Sequence, residues 1–504
     1  MPEVFQVPSV SVTASIEAAI DLVLRTPSTT FTPYLKSQYT AARNWLKLYR
    51  PSPKATNLEI VKGYLEAFYH LCQLECWQLA YSLLELQLQT PTAETLHNQL
   101  GTWGYNSERL ALYQSLLGHL PLNQEALLLD GLSHTYHSLG DYTTVLDCCQ
   151  KYGDVVEALD DPVRRLRYWG LLGITNHAMG HYIEAAKYQQ QRLTLSRDLG
   201  NRSEEMNALG DLGIAQHSLG HYLEAQRCHE DQLLLSRQIG DRVQEGQALG
   251  SLGHVFDLLG QPAKALSYYE QHLALAKDLG DRLGECGALI GIGNLHKSQN
   301  AWEQAMACYQ QSLELAEALK HRRSQGVALG NLASVYNALG DYRKAFELGL
   351  GWLQSAQSNQ NQGAEANALH TLGLILKQAQ AYQEALKYLT AALEKYEAIG
   401  DANGRGTVLF NLGIVCLALH EMEQVWYCWL HSLAIFLQMG VDYRVRSILE
   451  SLYVQICRTQ GDDFFDHNDC HAVLKNLFAK PLAELCEACG EDVEVLVLEA
   501  LMTL

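Results

Sequence analysis

The sequence predicts an all-α solenoid, a stack of helical hairpins, and three observations carry that expectation. Small-residue pairs recur at one spacing: Leu172-Gly173, Leu212-Gly213 and Leu252-Gly253, then Leu372-Gly373 and Leu412-Gly413, with Ile292-Gly293 and Leu332-Ala333 in the slots between. Each is followed at fixed distances by a turn (Gly180, Gly220, Gly260, Gly340), an aromatic (Tyr182, Tyr222, Trp302, Tyr342, Tyr382) and an alanine (Ala185, Ala225, Ala265, Ala305, Ala345, Ala385). Units close on Gly200, Gly240, Gly280, Gly400 or Gly440. A repeat of this length is a supersecondary unit that cannot bury its apolar face alone, so neighbours must stack.

Residues 241–280 show why each unit is a hairpin. Asp241 is an N-cap with Gln244 at the third helical position, the pattern of a capping box. Leu249, Leu252, Phe256 and Leu259 recur at helical spacing and form one stripe. Gly260-Gln261-Pro262 breaks the helix, and proline suits the first turn of the next. Ala265, Tyr268, His272, Leu273 and Ala276 line the second helix, and Gly280 ends it in the left-handed region. Gly253 and Ala265 lack bulk where the two helices approach, and Tyr268 is expected to fill the space against the next unit.

Before the regular array, residues 58–71 with 77–88, and 93–103 with 108–117, read as irregular helical hairpins. Beyond it, 443–458 is a helix positioned to cover the last repeat, followed by short helices. The expected domains are therefore 1–122, an irregular helical region; 123–442, the repeat array; and 443–504, acidic capping helices. Lys320 and Gln360 replace the closing glycine, and the polar stretch 358–363 marks either a bend or joint near 357–363 or simple drift of the repeat.

The pattern Leu-Gly, aromatic, Gly, Tyr, Ala, Tyr resembles the tetratricopeptide repeat (TPR). The usual period is about 34 residues. Here it is 40. The extra length, Ala-Leu-Gly-Asn-Leu-Ala at 328–333 and Gly-Asp-Arg at 240–242 and 280–282 are similar to repeats of the Leu-Gly-Asn adaptor type and of bacterial TPR arrays. The resemblance covers residues 123–442. It implies a right-handed TPR superhelix with atypical helical caps at both ends, first helices lining a concave groove, and a non-catalytic scaffold or adaptor that holds a protein or peptide segment there.

Transferring that groove by position gives one row at His137, His177, His217, Asp257, Lys297, Asn337 and Lys377. A second row holds His134, His254, Asn294 and Ser334, interrupted by Ile174 and Ile214. Asn207, Gln247, Asn331, His370, Thr371 and Asn411 lie on adjacent turns of the first helices. Such side chains can hydrogen-bond an extended backbone; the alternative for any one of them is an ordinary solvated groove. His137, His177 and His217, one repeat apart, are expected roughly 10 Å from one another. That is too far to share a metal ion; a histidine ladder would favour acidic ligands at lowered pH, the alternative being drift around a polar position.

The net charge of −19 argues against a nucleic-acid surface, which needs a dense Lys/Arg field. The first residues are relatively basic, and ten acids beyond Gly461 face only Lys475 and Lys480. Thirteen scattered cysteines suit free thiols in a reducing compartment. The start of the chain lacks a signal-peptide pattern, and no apolar run is long enough to span a bilayer, so a cytoplasmic protein is expected. Cys470, His471, Cys486 and Cys489 have the composition of a zinc site, but they equally fit buried small residues of a helix; no metal or cofactor is expected. Phosphate-loop, nucleophile-elbow and metalloprotease signatures are absent. Two further readings are an assembly factor for a multi-subunit complex, such as a photosynthetic one, and a metal- or ligand-sensing regulator using the terminal Cys/His cluster.

Overall fold

A computed structural model describes residues 10–25, 32–52, 55–90, 94–319, 321–358 and 361–460. These residues form twenty-three helices, and the chain divides into two units, 1–137 with 144–161, and 138–143 with 162–504. The expected capping segment beyond residue 460, the terminal Cys/His cluster, and residues Lys320 and Gln360 lie outside the described residues.

The first unit holds α1 (Val10–Arg25), α2 (Pro33–Leu48), α3 (Asn57–Gln73), α4 (Trp77–Leu84), α5 (Leu96–Thr102), α6 (Asn106–Leu116), most of α7 (Leu122–Leu139) and α8 (Tyr142–Leu159). Helices α3 to α6 form the two irregular hairpins expected from the sequence, while α1 and α2 precede them in the irregular region 1–122. A complete capping box starts α3, with Thr56 and Glu59 bonding reciprocally. Ile16, Ile20, Phe68, Leu71, Leu83 and Tyr113 are fully or almost fully buried in one apolar cluster.

Among the described residues the second unit contains seven hairpins. They are α9 (Pro162–Ala178) with α10 (Tyr182–Asp198), α11 (Arg202–Ser218) with α12 (Tyr222–Ile239), α13 (Arg242–Leu258) with α14 (Pro262–Leu279) and α15 (Arg282–Ser298) with α16 (Trp302–Ala318). Next come α17 (Arg322–Ala338) with α18 (Tyr342–Ser358), α19 (Gln362–Gln378) with α20 (Tyr382–Ile399) and α21 (Ala402–Ala418) with α22 (Met422–Met439). A further helix, α23 (Asp442–Gln460), packs on α22.

Local chemistry sets the boundaries. Asp241, Asp281, Asn361 and Asp401 cap their helices through side-chain oxygens, while Gly240, Gly280, Gly400 and Gly440 adopt φ of 81°, 66°, 75° and 69°. Only half of the capping box expected at Asp241 forms. Asp241 accepts from Gln244 N at 3.0 Å, but the Gln244 side chain instead accepts from Gln232 of α12 in the preceding hairpin.

Packing explains the Leu-Gly signature. The residue sixteen places after each of these glycines occupies the volume that a Cβ would need. Such a Cβ would come within 2.6 Å of His229 at Gly213, 2.8 Å of Tyr269 at Gly253, 2.6 Å of Tyr309 at Gly293 and 2.6 Å of Leu389 at Gly373. Tyr269, not the expected Tyr268, is the buried filler, lying over both Gly253 and Gly291 of the next hairpin. Tyr268 turns back onto its own hairpin and stacks on Phe256, with ring centres 5.3 Å apart. The repeated alanines Ala185, Ala225, Ala265, Ala305, Ala345 and Ala385 are all completely buried.

Neighbouring first helices touch, α9 with α11, α11 with α13, and so on to α21, whereas successive second helices have no comparable contact. The array therefore bends toward its first helices. The bend brings distant hairpin turns of this unit together: Ala402 N donates to Met179 O at 2.9 Å, and Asn361 Nδ2 donates to Ser138 O, 223 residues away. Around this seam Met439 lies against Gly180 and Ile183 against Gly440, with Tyr182 buried among residues of α20 to α22.

Candidate functional site

The inward bend gives the second unit a face built from α9, α11, α13, α15, α17, α19 and α21. His177, His217, His254, Asp257, Asn207, Gln247, Asn294, Lys297, Asn331, Asn337, His370, Lys377 and Asn411 all lie on those helices. Contacts run from one first helix to the next. His177 Nε2 is 2.8 Å from Ser218 Oγ, and Ser298 Oγ donates to Asp257. Lys297 Nζ donates to Asn331 Oδ1 at 3.5 Å, and Lys377 Nζ to Asn411 Oδ1 at 2.7 Å. Each Lys–Asn pair spans thirty-four residues, so the same contact is built twice.

At the α19–α21 step Asn411 also donates to His370 Nε2, at 3.3 Å, and to Thr407 O. Burial pushes His370 down to about 4, and Lys377 and Arg444 push in the same direction. The ring is thus neutral near pH 7 and serves as an acceptor there. Burial lowers Lys297 and Lys377 from the ordinary lysine value. Asn294 accepts from Tyr309 Oη at 2.7 Å, which fixes its orientation, while Asn337 Oδ1 is buried without a hydrogen-bond partner. Gln247 is exposed and Asn207 half-buried.

Histidines from the two different rows meet on this face. His217 and His254 have ring centres 4.6 Å apart, and His229 of α12 packs behind them over Gly213. Burial, then His254, His229 and His177, push His217 down to about 4. His137 belongs to α7 in the first unit. Among the described residues no group of three His, Cys, Asp or Glu side chains is placed to hold a metal ion.

A family model described as tetratricopeptide repeat matches residues 204–278, 285–350 and 364–425. The chain is a tetratricopeptide-repeat protein. Its TPR hairpins are similar to a solved structure of Rap protein complexed with competence and sporulation factor, at 14% identity and TM-score 0.51, covering 68% of this chain and 96% of that one. A second similar structure, NprR in complex with its cognate peptide NprX, shares 18% identity at TM-score 0.46 and covers 73% of this chain and 97% of that one. No curated protein matches this chain. The likeness to the Rap structure shows the α-solenoid fold.

Sequence reasoning missed several residues around this TPR face. His229 is buried beneath it, and Ser218 and Ser298 hold the acceptors and donors of the preceding helix. Arg444, at the start of α23, acts on His370. His229 was findable, because the residue at its repeat position is large wherever Gly213 or its equivalent is glycine, and is the small Gly349 in the repeat where that equivalent is Ala333.

Proposed function

We propose that this protein is an interaction scaffold that captures an extended segment of a partner protein on the first-helix face of its second unit. The observation that carries the reading is the ladder of amide, lysine and histidine groups handed from each first helix to the next. An extended chain lying across the helices would meet a donor or acceptor at every repeat. Exposed apolar residues on the same helices, Ile214, Val243 and Leu283, supply anchors between the polar groups. The Rap structure of like fold was solved with a bound factor, which is in keeping with this use of such an array.

The described cysteines are free thiols, in keeping with a reducing cytoplasmic setting. No described helix is long and apolar enough to cross a membrane. The test is affinity capture from native cells with wild type and with Lys297→Glu, Lys377→Glu. A partner held on this face is lost from the double variant while its melting curve stays unchanged. Undiminished capture of the same proteins would move binding to another surface.

A further inference from the structure

The charge on this face runs against the charge of the chain. Overall the protein is strongly acidic, at −19. The first helices α9 to α21 carry Glu204, Glu205, Asp211, Glu245, Asp257, Glu285 and Glu365 and no other acid. Six of these are consumed in ion pairs: Glu204 and Asp211 by Arg192, Glu205 by Arg197, Glu245 by Arg237, Glu285 by Arg282 and Glu365 by Lys395. Asp257 is left. Lys297 and Lys377, by contrast, have no carboxylate in ion-pair reach among the described residues and rest only on neutral amides. Half-buried cations without counter-charges are costly unless something anionic completes them.

A second feature points the same way. His217 Nε2 is buried without a hydrogen-bond partner, on a ring packed against His254. The groups facing this pair are His177 from α9, His229 and Tyr222 from α12, and Asp257 on α13 itself, which Ser298 of α15 holds. Tyr182 of α10 lies against His177. Three imidazoles thus crowd one ring that has a free nitrogen, with a single carboxylate nearby.

We infer that the segment captured here is acidic, its carboxylates completing Lys297 and Lys377, and that the His217–His254 pair takes up a proton from solvent as a further carboxylate docks beside it. This rests on the groove reading above and names the chemistry of its ligand. The linkage has a definite sign. In the free protein His217 is neutral down to about 4 because burial and its histidine neighbours oppose the charge. A bound carboxylate favours the protonated ring, so the complex binds more protons than the free chain and affinity rises as pH falls. Protonation of Asp257, whose carboxyl is raised by burial, removes the opposing charge and adds in the same direction.

The test uses the full chain with three fluorescent short peptides of equal length, alternating Ala-Glu, Ala-Gln and Ala-Lys, read by anisotropy at pH about 7.5 and about 5.5. The Ala-Glu peptide is expected to bind alone and to tighten about tenfold on acidification, the effect of roughly one unit of pKa change. Lys297→Glu with Lys377→Glu should abolish binding at both pH values. His217→Gln should keep binding at the higher pH and lose the tightening, and circular dichroism melting would confirm that each variant is folded. The inference is overturned if the Gln or Lys peptide binds as well as the Glu peptide, if none binds, or if the Glu peptide ignores pH or the lysine reversals. Should it be overturned while native-partner capture still depends on Lys297 and Lys377, the groove reading stands and only the acidic ligand is wrong.

Discussion

The early hairpins of the second unit, α9 to α13, and the late ones, α19 to α22, share a backbone period but fill it with opposite chemistry. Over the Leu-Gly glycines sit Gln189 and His229 in the early half, and Leu389 and Trp429 in the late half. One turn further along, the early half buries Arg192 and Gln232 against Gly170 and Gly210, while the late half buries only the small Ala392 and Ser432 there and sets Phe436, a further turn on, against Gly406. The consequences follow from what each filler needs. Polar fillers require partners, and Arg192 binds Glu204 at 2.6 Å and Asp211 at 2.9 Å. Apolar fillers merge into one large cluster running from Ala366 to Leu452. Spacing alone therefore specifies the hairpin, and the filler decides how firmly and at what pH it is held.

The contrast is sharpest at a single repeat position. Trp429→Ala is expected to destabilise the protein by about 4 kcal/mol, since it empties a well-packed site and loses the bond from Nε1 to Phe410 O. His229→Ala, at the equivalent place, should cost about 1 kcal/mol, within the ordinary range for point changes. Denaturant melts of the two variants give the ranking, and equal losses would dissolve the distinction between the halves.

Next in size is the early half's own liability. Arg192→Ala leaves two carboxylates without their cation and should cost about 3 kcal/mol, whereas Arg192→Met should recover part of that by filling the volume. Hydrogen exchange should place the loss in α9 to α11, with α20 to α22 unchanged; a loss spread evenly would show that the array answers as one body.

Acidification gives a smaller and two-signed effect. His217 and His370 are depressed to about 4, so the stability they contribute is present above the usual histidine value and is lost as pH falls from about 6.5 toward 4. His229, His254 and His272 are lowered by burial and act alike. Asp401, which caps α21 beside the seam, is raised by burial to about 6, so its contribution is lost as pH rises through that value. The melting temperature should drop between pH about 7.5 and about 5.5 by several degrees, less in His217→Gln and more in Asp401→Asn. A rise on acidification would reverse the assignment. At the far end of the scale, Arg343→Ala breaks only an exposed pair with Glu347 and should leave melting unchanged.

The hairpins, caps and closing turns were legible because each depends on residues adjacent in sequence. Gly240 and Asp241 announce one helix end and the next start without reference to anything distant. The face was legible as a set of helices but not as a set of contacts. His177 meets Ser218, His217 meets His254 and Lys297 meets Asn331, so one repeat position touches three different positions of the following helix. Those offsets depend on how neighbouring helices are inclined, which the repeat period does not encode. The seam joining Met179 to Ala402 was invisible for a related reason, because small rotations accumulate over several hairpins before the contact is made.

The central claim is that the first-helix face is where a partner lies, and site-specific photocrosslinking in native cells addresses it most directly. A photoreactive side chain at Gln247, exposed on α13, should give a discrete adduct with a partner, and the same group at Glu270, exposed on α14, should give none. Adducts from Glu270 alone, or the same adducts from both positions, would contradict the account.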